Sequence, residues 1–365
     1  MTLEHTTAVI MAGGGGTRLW PLSRTDRPKQ SLAVVGDRTL FQMAVERLAP
    51  AVPADRILVV AVESMAGILL PQVPTLTAEN FLNEPMPRGT ASAIGYAATV
   101  LRSQNPTAVM ACLTADHIIR NEARFLELLG AAERRALKGE LVTLGIAPSG
   151  PSVSYGYIHL GEKLATEAGF DIRSVLQFKE KPDYPAAVEY VESGEYAWNS
   201  GMFVWTAERI LQEIERLMPR LFVALQEIER SIGTPQQAAV TARVWEGLES
   251  ETIDYGIMER AEGVVVIPAD DLGWWDVGGW DRLEDLVESD TNGNIVRADE
   301  TLLSDTKGVV VYQKRGSHRL IATLGLEDVV IVDTDDVLLV CDRNRAEEVR
   351  SLVARLSDFG LEDYA

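Results

Sequence analysis

Along the first half of the chain, continuous apolar runs alternate with stretches whose apolar residues recur at helical spacing. TAVIMAG (7–13), RILVVAV (56–62), TAVMACL (107–113) and LVTLGIAP (141–148) have no polar face. Such runs read as strands buried on both sides. Between them, TLFQMAVERLA places Leu40, Phe41, Ala44, Val45 and Leu48 on one helical stripe. GTASAIGYAATVLRS (89–103) and FLELLGAAERRALKG (125–139) also read as helices. This alternation predicts an α/β fold, a mainly parallel sheet flanked by helices on both faces. Ligands of such sheets bind beyond the carboxyl ends of the strands. Two loops fall there: the glycine run after TAVIMAG and the segment LTADHII (113–119).

The pattern is more mixed from residue 151 onward. YGYIHLG, SVLQFKEKP and GMFVWT read as strands, and ERILQEIERLM, LFVALQEIERS and QQAAVTARVWEGL as helices. The polar stretch SDTNGN marks a boundary near residue 290, so residues 1–290 and 291–365 are expected as separate domains. Beyond it, short β runs dominate: NIVRADETLLSDTKGVVVYQKRG, RLIATLG and DVVIVDTDDVLLVCD. NRAEEVRSLVARLSD reads as a closing helix, with Asn344 as its N-cap.

Composition narrows the class. Hydrophobic residues make up 46% and charged residues 24%, which is ordinary globular material. The net charge of −20 argues against non-specific binding to nucleic acid or anionic membranes. Cys112 and Cys341 each sit in an apolar run and read as buried thiols, and the four histidines show no zinc-type spacing. The N-terminal MTLEHTTAVIMAGGGG has no basic region before its apolar run, so no secretory signal is expected. No apolar run reaches the roughly 18 residues of a membrane span. A cytoplasmic location is the expectation.

The chemistry concentrates in AGGGGTRLWPLSRTDRPKQ (12–30). A strand runs into Gly13, Gly14, Gly15 and Gly16, whose missing side chains let backbone N–H groups approach an anion. No Gly-Lys-Ser/Thr follows, so this is not a Walker A loop, and Leu19 occupies the third glycine position of a dinucleotide fingerprint. Arg18 adds a planar fork suited to phosphate oxygens, and Lys29 a compact charge. Pro21 and Pro28 stiffen the intervening chain. In LTADHII, Asp116 stands just past an apolar strand, where a carboxylate can hold Mg²⁺ alongside substrate phosphates or simply cap a turn. His117 reads more readily as a hydrogen-bonded structural residue than as a general base.

GGGGTRLWPLSR with PKQ, then EPMPRGTA, ADHII, FKEKPD and WNSGMFVW occur in this order along nearly the whole chain. Together they resemble the sugar-1-phosphate nucleotidylyltransferases, most of all the mannose-1-phosphate guanylyltransferases (GDP-mannose pyrophosphorylases). The resemblance implies a Rossmann-like nucleotidyltransferase fold with a small C-terminal β-rich part, similar to a partial left-handed β-helix, which in relatives commonly mediates dimerisation. It implies attack by a sugar 1-phosphate on the α-phosphorus of GTP, with pyrophosphate leaving and Mg²⁺ as cofactor. Gly13 to Gly16 and Thr17 would enclose the nucleotide, Arg18 the leaving phosphates, and Lys29 the α-phosphate. Glu84, Arg88, Gly89 and Thr90 fall in the segment for base and ribose. Asp116 and Asp276 of WWDVGGW would ligate the metal. Gly156, Glu180, Lys181 and Asn199 would bind the sugar phosphate.

The base segment reads RGTASA where these guanylyltransferases usually read RNTAPA, and glycine there also occurs in relatives using other bases. The base therefore stays open, as does the sugar, with glucose or a heptose as alternatives to mannose. A non-catalytic sugar-nucleotide sensor of the same fold is the reading from another class. Against it stand Arg18, Lys29, Asp116, Lys181 and Asp276, all present. With His318 the one histidine after the boundary, no metal-dependent isomerase activity is expected.

Overall fold

The computed structural model describes residues 3–14, 16–280 and 289–365. By compactness the chain divides into two units, neither a continuous segment. One comprises Met1–Gly13, Ala44–Ala115 and Ile119–Trp274; the other comprises Gly14–Met43, Asp116–Ile118 and Trp275–Ala365.

The strands of the first half are β1 (Thr6–Met11), β2 (Ile57–Val62), β3 (Phe81–Glu84), β4 (Val109–Thr114), β5 (His117–Ile119) and β6 (Leu141–Ile146). After them come β7 (Tyr157–Glu167), β8 (Phe170–Lys179), β9 (Tyr196–Thr206) and β10 (Val264–Pro268). Nine of these form the sheet of the first unit, in the order β3-β2-β1-β4-β9-β6-β10-β8-β7. β3, β2, β1 and β4 run parallel, as do β6 and β10, while β9, β8 and β7 pair antiparallel. The apolar runs of the sequence become the buried parallel strands. β4 is buried at every position but its last. The short β5 pairs instead with β11 (Trp274–Asp276).

The helices are α1 (Leu40–Glu46), α2 (Glu63–Leu69), α3 (Gly89–Gln104), α4 (Glu122–Ala136), α5 (Tyr184–Ser193), α6 (Ala207–Leu217), α7 (Pro219–Glu229), α8 (Gln237–Glu246) and α9 (Val349–Ala354). Alanine-rich α3 combines high helix propensity with a slim surface. Its Gly95 lies against Leu225 and Ile214, so α6 and α7 pack closely on it. Trp205 and Trp245 are fully buried in this core, and Trp245 meets the Tyr96 ring edge-on at 5.4 Å. Truncating either tryptophan to alanine would cost about 3–5 kcal/mol. Asp183, the last residue of FKEKPD, caps α5 by accepting from the Ala186 N–H, and Gly194 ends that helix in the left-handed region.

In the second unit, Leu19, Trp20 and Leu32 share a core with Val277, Trp280, Val310 and Val330. Its strands are β12 (Ile295–Arg297), β13 (Thr301–Ser304), β14 (Val310–Gln313), β15 (Ile321–Leu324), β16 (Val329–Asp333) and β17 (Leu338–Asp342). β12, β14 and β16 stack in parallel, as do β13 and β15. Successive strands thus return to the same side turn after turn, the geometry of a coiled β-helix. The buried Asp333 is stabilised by Arg319 (2.5 Å), Gln313 (3.0 Å) and Ser317 (3.2 Å). The closing helix differs from expectation. Residues Arg343–Glu348 form a 3₁₀ segment before α9, and Asp342, not Asn344, is the cap. The Asp342 carboxylate, the stronger acceptor, takes the Asn344 N–H itself. Cys112 is buried, but Cys341 is only half-buried because it lies on β17, whose flanking residues are largely exposed.

Candidate active site

The chemistry falls into one cluster in the second unit and two in the first. In the second unit, Lys29 Nζ lies 3.0 Å from Asp116 Oδ2 and 3.0 Å from Asp276 Oδ1. The lysine is buried, whereas the two carboxylates keep about a quarter of their surface. Burial works against the Lys29 charge, but the flanking aspartates overcome it and hold the ammonium above its usual value. Burial would likewise raise Asp276, yet Lys29, His117 and Arg18 pull it down to about 2. Asp116, His117 and Asp276 bring their ligand atoms within 4.8 Å of one another. Two carboxylates with open faces fit a hard divalent cation that takes its remaining ligands from phosphate and water.

Arg18 borders this cluster. A methyl group added at Gly278 would lie 3.5 Å from both Arg18 Nη1 and Asp276 Oδ2. The glycine loop is tied down around it. Gly16 has φ +66°, and a Cβ there would stand 2.3 Å from that of Lys29. Only glycine allows the loop to cross so close to the lysine stem. Ser23 Oγ donates to the Gly16 carbonyl at 2.7 Å, and Gln30 Nε2 to the Gly14 carbonyl at 3.2 Å. Gly13, Gly14 and Thr17 are exposed. Gly15 lies outside the described residues.

In the first unit, Glu84 ends β3 and is buried, and burial pushes its carboxyl up to about 7. Arg88, Gly89 and Thr90 open α3. Gly89 has φ +79°, and a Cβ there would meet the Glu251 carbonyl oxygen at 2.1 Å. An asparagine could adopt that φ but not that contact, which is a physical reason for RGTASA in this chain. The Thr90 hydroxyl accepts from the Ile253 N–H at 2.8 Å.

The other cluster of this unit joins the ends of β7, β8 and β9. Gly156 leaves space that the Glu180 carboxylate fills, 2.3 Å from where a Cβ would be. Lys181 takes a left-handed backbone (φ 44°), uncommon for a non-glycine residue, and its Nζ pairs with Glu180 Oε1 at 2.6 Å. Asn199 donates its backbone N–H to the Gly156 carbonyl at 2.8 Å and its side-chain amide to Asp254 Oδ1 at 2.7 Å.

The structure therefore brings together Arg18, Lys29, Asp116 and Asp276, and likewise Gly156, Glu180, Lys181 and Asn199, while Glu84, Arg88, Gly89 and Thr90 stay neighbours along the chain between β3 and α3. Three further residues emerge. His117 joins the acidic cluster, Glu251 backs the Gly89 turn, and Asp254 completes the group around Asn199.

The nucleotidyl transferase family pattern matches residues 7–293, and the pattern for a MannoseP isomerase/GMP-like β-helix domain matches residues 299–356. The chain is 40% identical over 357 residues to the xanthan biosynthesis protein XanB of Xanthomonas campestris pv. campestris (strain B100), covering 96% of this chain and 73% of the relative. It is 37% identical over 361 residues to the mannose-1-phosphate guanylyltransferase of Escherichia coli (strain K12), covering 98% and 74%. A crystal structure from Thermus thermophilus, described as a mannose-1-phosphate geranyltransferase, matches with a TM-score of 0.85 at 34% identity over 97% of this chain and 99% of that one.

Proposed function

The chain belongs to the nucleotidyl transferase family, and from that premise we propose that it transfers GMP from GTP to α-D-mannose 1-phosphate, giving GDP-mannose and pyrophosphate. The observation that carries the reaction type is Lys29 bridging Asp116 and Asp276 beside Arg18. The choice of base and sugar rests on likeness to the relatives.

A phosphate oxygen of the sugar phosphate attacks the α-phosphorus in line. One O–P bond forms, the bond to the β-phosphate oxygen breaks, and no proton need move. Two polyanions must meet, so the work is positioning and charge stabilisation. Arg18 holds the leaving phosphates, and Lys29 stands at the α-phosphate. Gly13 to Gly16 and Thr17 enclose the nucleotide. Glu84, Arg88, Gly89 and Thr90 serve the base and ribose. Gly156, Glu180, Lys181 and Asn199 serve the sugar phosphate. Mg²⁺ held by Asp116 and Asp276 would supply further neutralisation of the triphosphate.

Among the described residues no helix is long and apolar enough to cross a membrane. We place the enzyme in the cytoplasm, with residues 1–290 as its catalytic part and 291–365 as an appended domain suited to a homodimer. A second reading, transfer of another nucleotide or to another sugar, is favoured by the glycine-specific turn at Gly89. The test is a pyrophosphate-release matrix of four nucleoside triphosphates against mannose, glucose and heptose 1-phosphates. The highest kcat/KM for GTP with mannose 1-phosphate supports the proposal; release with another pair and none with this one overturns it.

A further inference from the structure

Asp254 is absent from every role assigned above, yet its surroundings are built around it. It opens a single π-helical turn, Asp254–Met258, a shape frequent at functional sites. Its Oδ1 accepts from the Asn199 amide at 2.7 Å. The Asn199 side-chain oxygen accepts from the Gly201 N–H at 3.0 Å, which settles the orientation of that amide: oxygen toward Gly201, NH₂ toward Asp254.

The chain leading to Asp254 is pinned along its length. Trp245 Nε1 donates to the Met86 carbonyl (2.8 Å), and Arg88 Nη2 to the Glu246 carbonyl (2.8 Å). The Glu251 N–H donates to the Arg88 carbonyl (3.3 Å), the Ala91 N–H to the Glu251 carbonyl (3.1 Å), and the Ile253 N–H to the Thr90 hydroxyl (2.8 Å). One strap, residues 245–254, thus grips the loop proposed for the base and then delivers Asp254 to Asn199. Burial, with the Glu180 charge adding to it, pushes the Asp254 carboxyl up to about 6.

An ionised aspartate with no purpose beyond holding one amide would be a costly choice at such a place. The pair has capacity left over. A primary amide carries two N–H donors, and a carboxylate oxygen accepts more than one hydrogen bond. Asn199 and Asp254 together therefore offer one donor and one acceptor side by side, which is the complement of a hydroxyl group. Glu180 and Asp254 bring two carboxylates near the cation Lys181, an excess of acceptors among these three residues that suits an uncharged polyol.

We infer that Asp254 is a specificity-determining residue that, paired with Asn199, reads one hydroxyl of the sugar in the sugar 1-phosphate. This rests on the proposal that the chain is a sugar-1-phosphate nucleotidylyltransferase. Asn199 acts as both contact and positioner, and the strap fixes where the carboxylate points.

The test compares wild type, Asp254→Asn and Asn199→Ala on the preferred sugar 1-phosphate and on its monodeoxy analogues. Thermal melting checks that each variant is folded. Asp254→Asn should lower kcat/KM for the full sugar about 10–100-fold, the worth of a hydrogen bond to a charged group, with the KM for nucleoside triphosphate unchanged within about twofold. On one deoxy analogue, wild type and variant should converge, because the hydroxyl that Asp254 reads is missing. Asn199→Ala should lose the same preference. An unchanged sugar KM in a folded Asp254→Asn variant, or an equal penalty on every analogue, overturns the inference. If wild type proves to use a sugar other than mannose, the proposed function fails while the inference is judged on that sugar.

Discussion

Asp276 and Asp254 are both partly buried aspartates, and in each case burial favours the neutral form. Beside Lys29, with His117 and Arg18 also near, Asp276 is nevertheless held at about 2. Asp254 rises to about 6 through burial and the Glu180 charge, and Lys181 offsets this only weakly. Glu84, also in the first unit, reaches about 7 through burial. The difference shows how one chain makes two kinds of surface from the same side chains. A buried ammonium beside Asp276 holds that carboxylate in its charged form. Carboxylates buried with little cationic support, Asp254 and Glu84, become weak acids, suited to hydrogen bonding with neutral hydroxyl and amide groups.

The largest effect is expected from Asp116→Asn. It replaces one of the two carboxylates beside Lys29, and pyrophosphate release should fall by about 10²–10³, typical of a lost electrostatic stabiliser. Raising Mg²⁺ should not restore it fully; near-wild-type turnover would place the metal elsewhere and dissolve the contrast between the two aspartates. Lys29→Ala leaves the two carboxylates facing each other. Turnover should fall about a hundredfold, and chemical denaturation near pH 7 should show a loss of about 3 kcal/mol, the low end for a broken buried pair because both acids keep some solvent. A variant as stable as wild type would mean that the aspartates do not depend on the lysine.

Glu84→Gln probes the weak-acid side. A folded-state value near 7 against 4.5 unfolded means that stability is fullest below about pH 4.5 and is lost as pH rises through about 7. The glutamine variant does not titrate. Its stability should therefore gain on wild type between about pH 5 and pH 8, by up to about 3 kcal/mol, as read from denaturation curves across that range. A pH-independent gap would show that Glu84 stays solvated. The smallest effect is expected at Lys181→Ala, because this side chain is largely exposed. The sugar 1-phosphate KM should rise about tenfold or less, with kcat little changed. An unaltered KM would remove Lys181 from the proposed sugar site.

Much of this was legible locally. Continuous apolar runs at 7–13, 56–62, 107–113 and 141–148 correspond to β1, β2, β4 and β6, because a strand buried on both faces tolerates no polar alternation. The glycine loop with Arg18 and Lys29, and Asp116 just past β4, could be singled out by residue type and position. β10, β5 and β11 were not legible. VVVIP is short and follows a helical stretch, and the β5–β11 pair joins residues 117–119 to 274–276. The antiparallel half of the sheet left no local mark either, since strand direction depends on which partner the chain meets.

Periodicity along the chain is enough to identify most helices and parallel strands, and residue type is enough to supply the reactive side chains. Their states come from the fold. Lys29, Asp116 and Asp276 are distant in sequence, and their mutual attraction exists only once folding brings the lysine within 3.0 Å of each carboxylate. Nothing along the chain tells that the Glu251 backbone lies against Gly89 or that the Asn199 amide lies at the Asp254 carboxylate. Electrostatic and steric terms depend on distance in space, whereas hydrophobic periodicity is written along the chain.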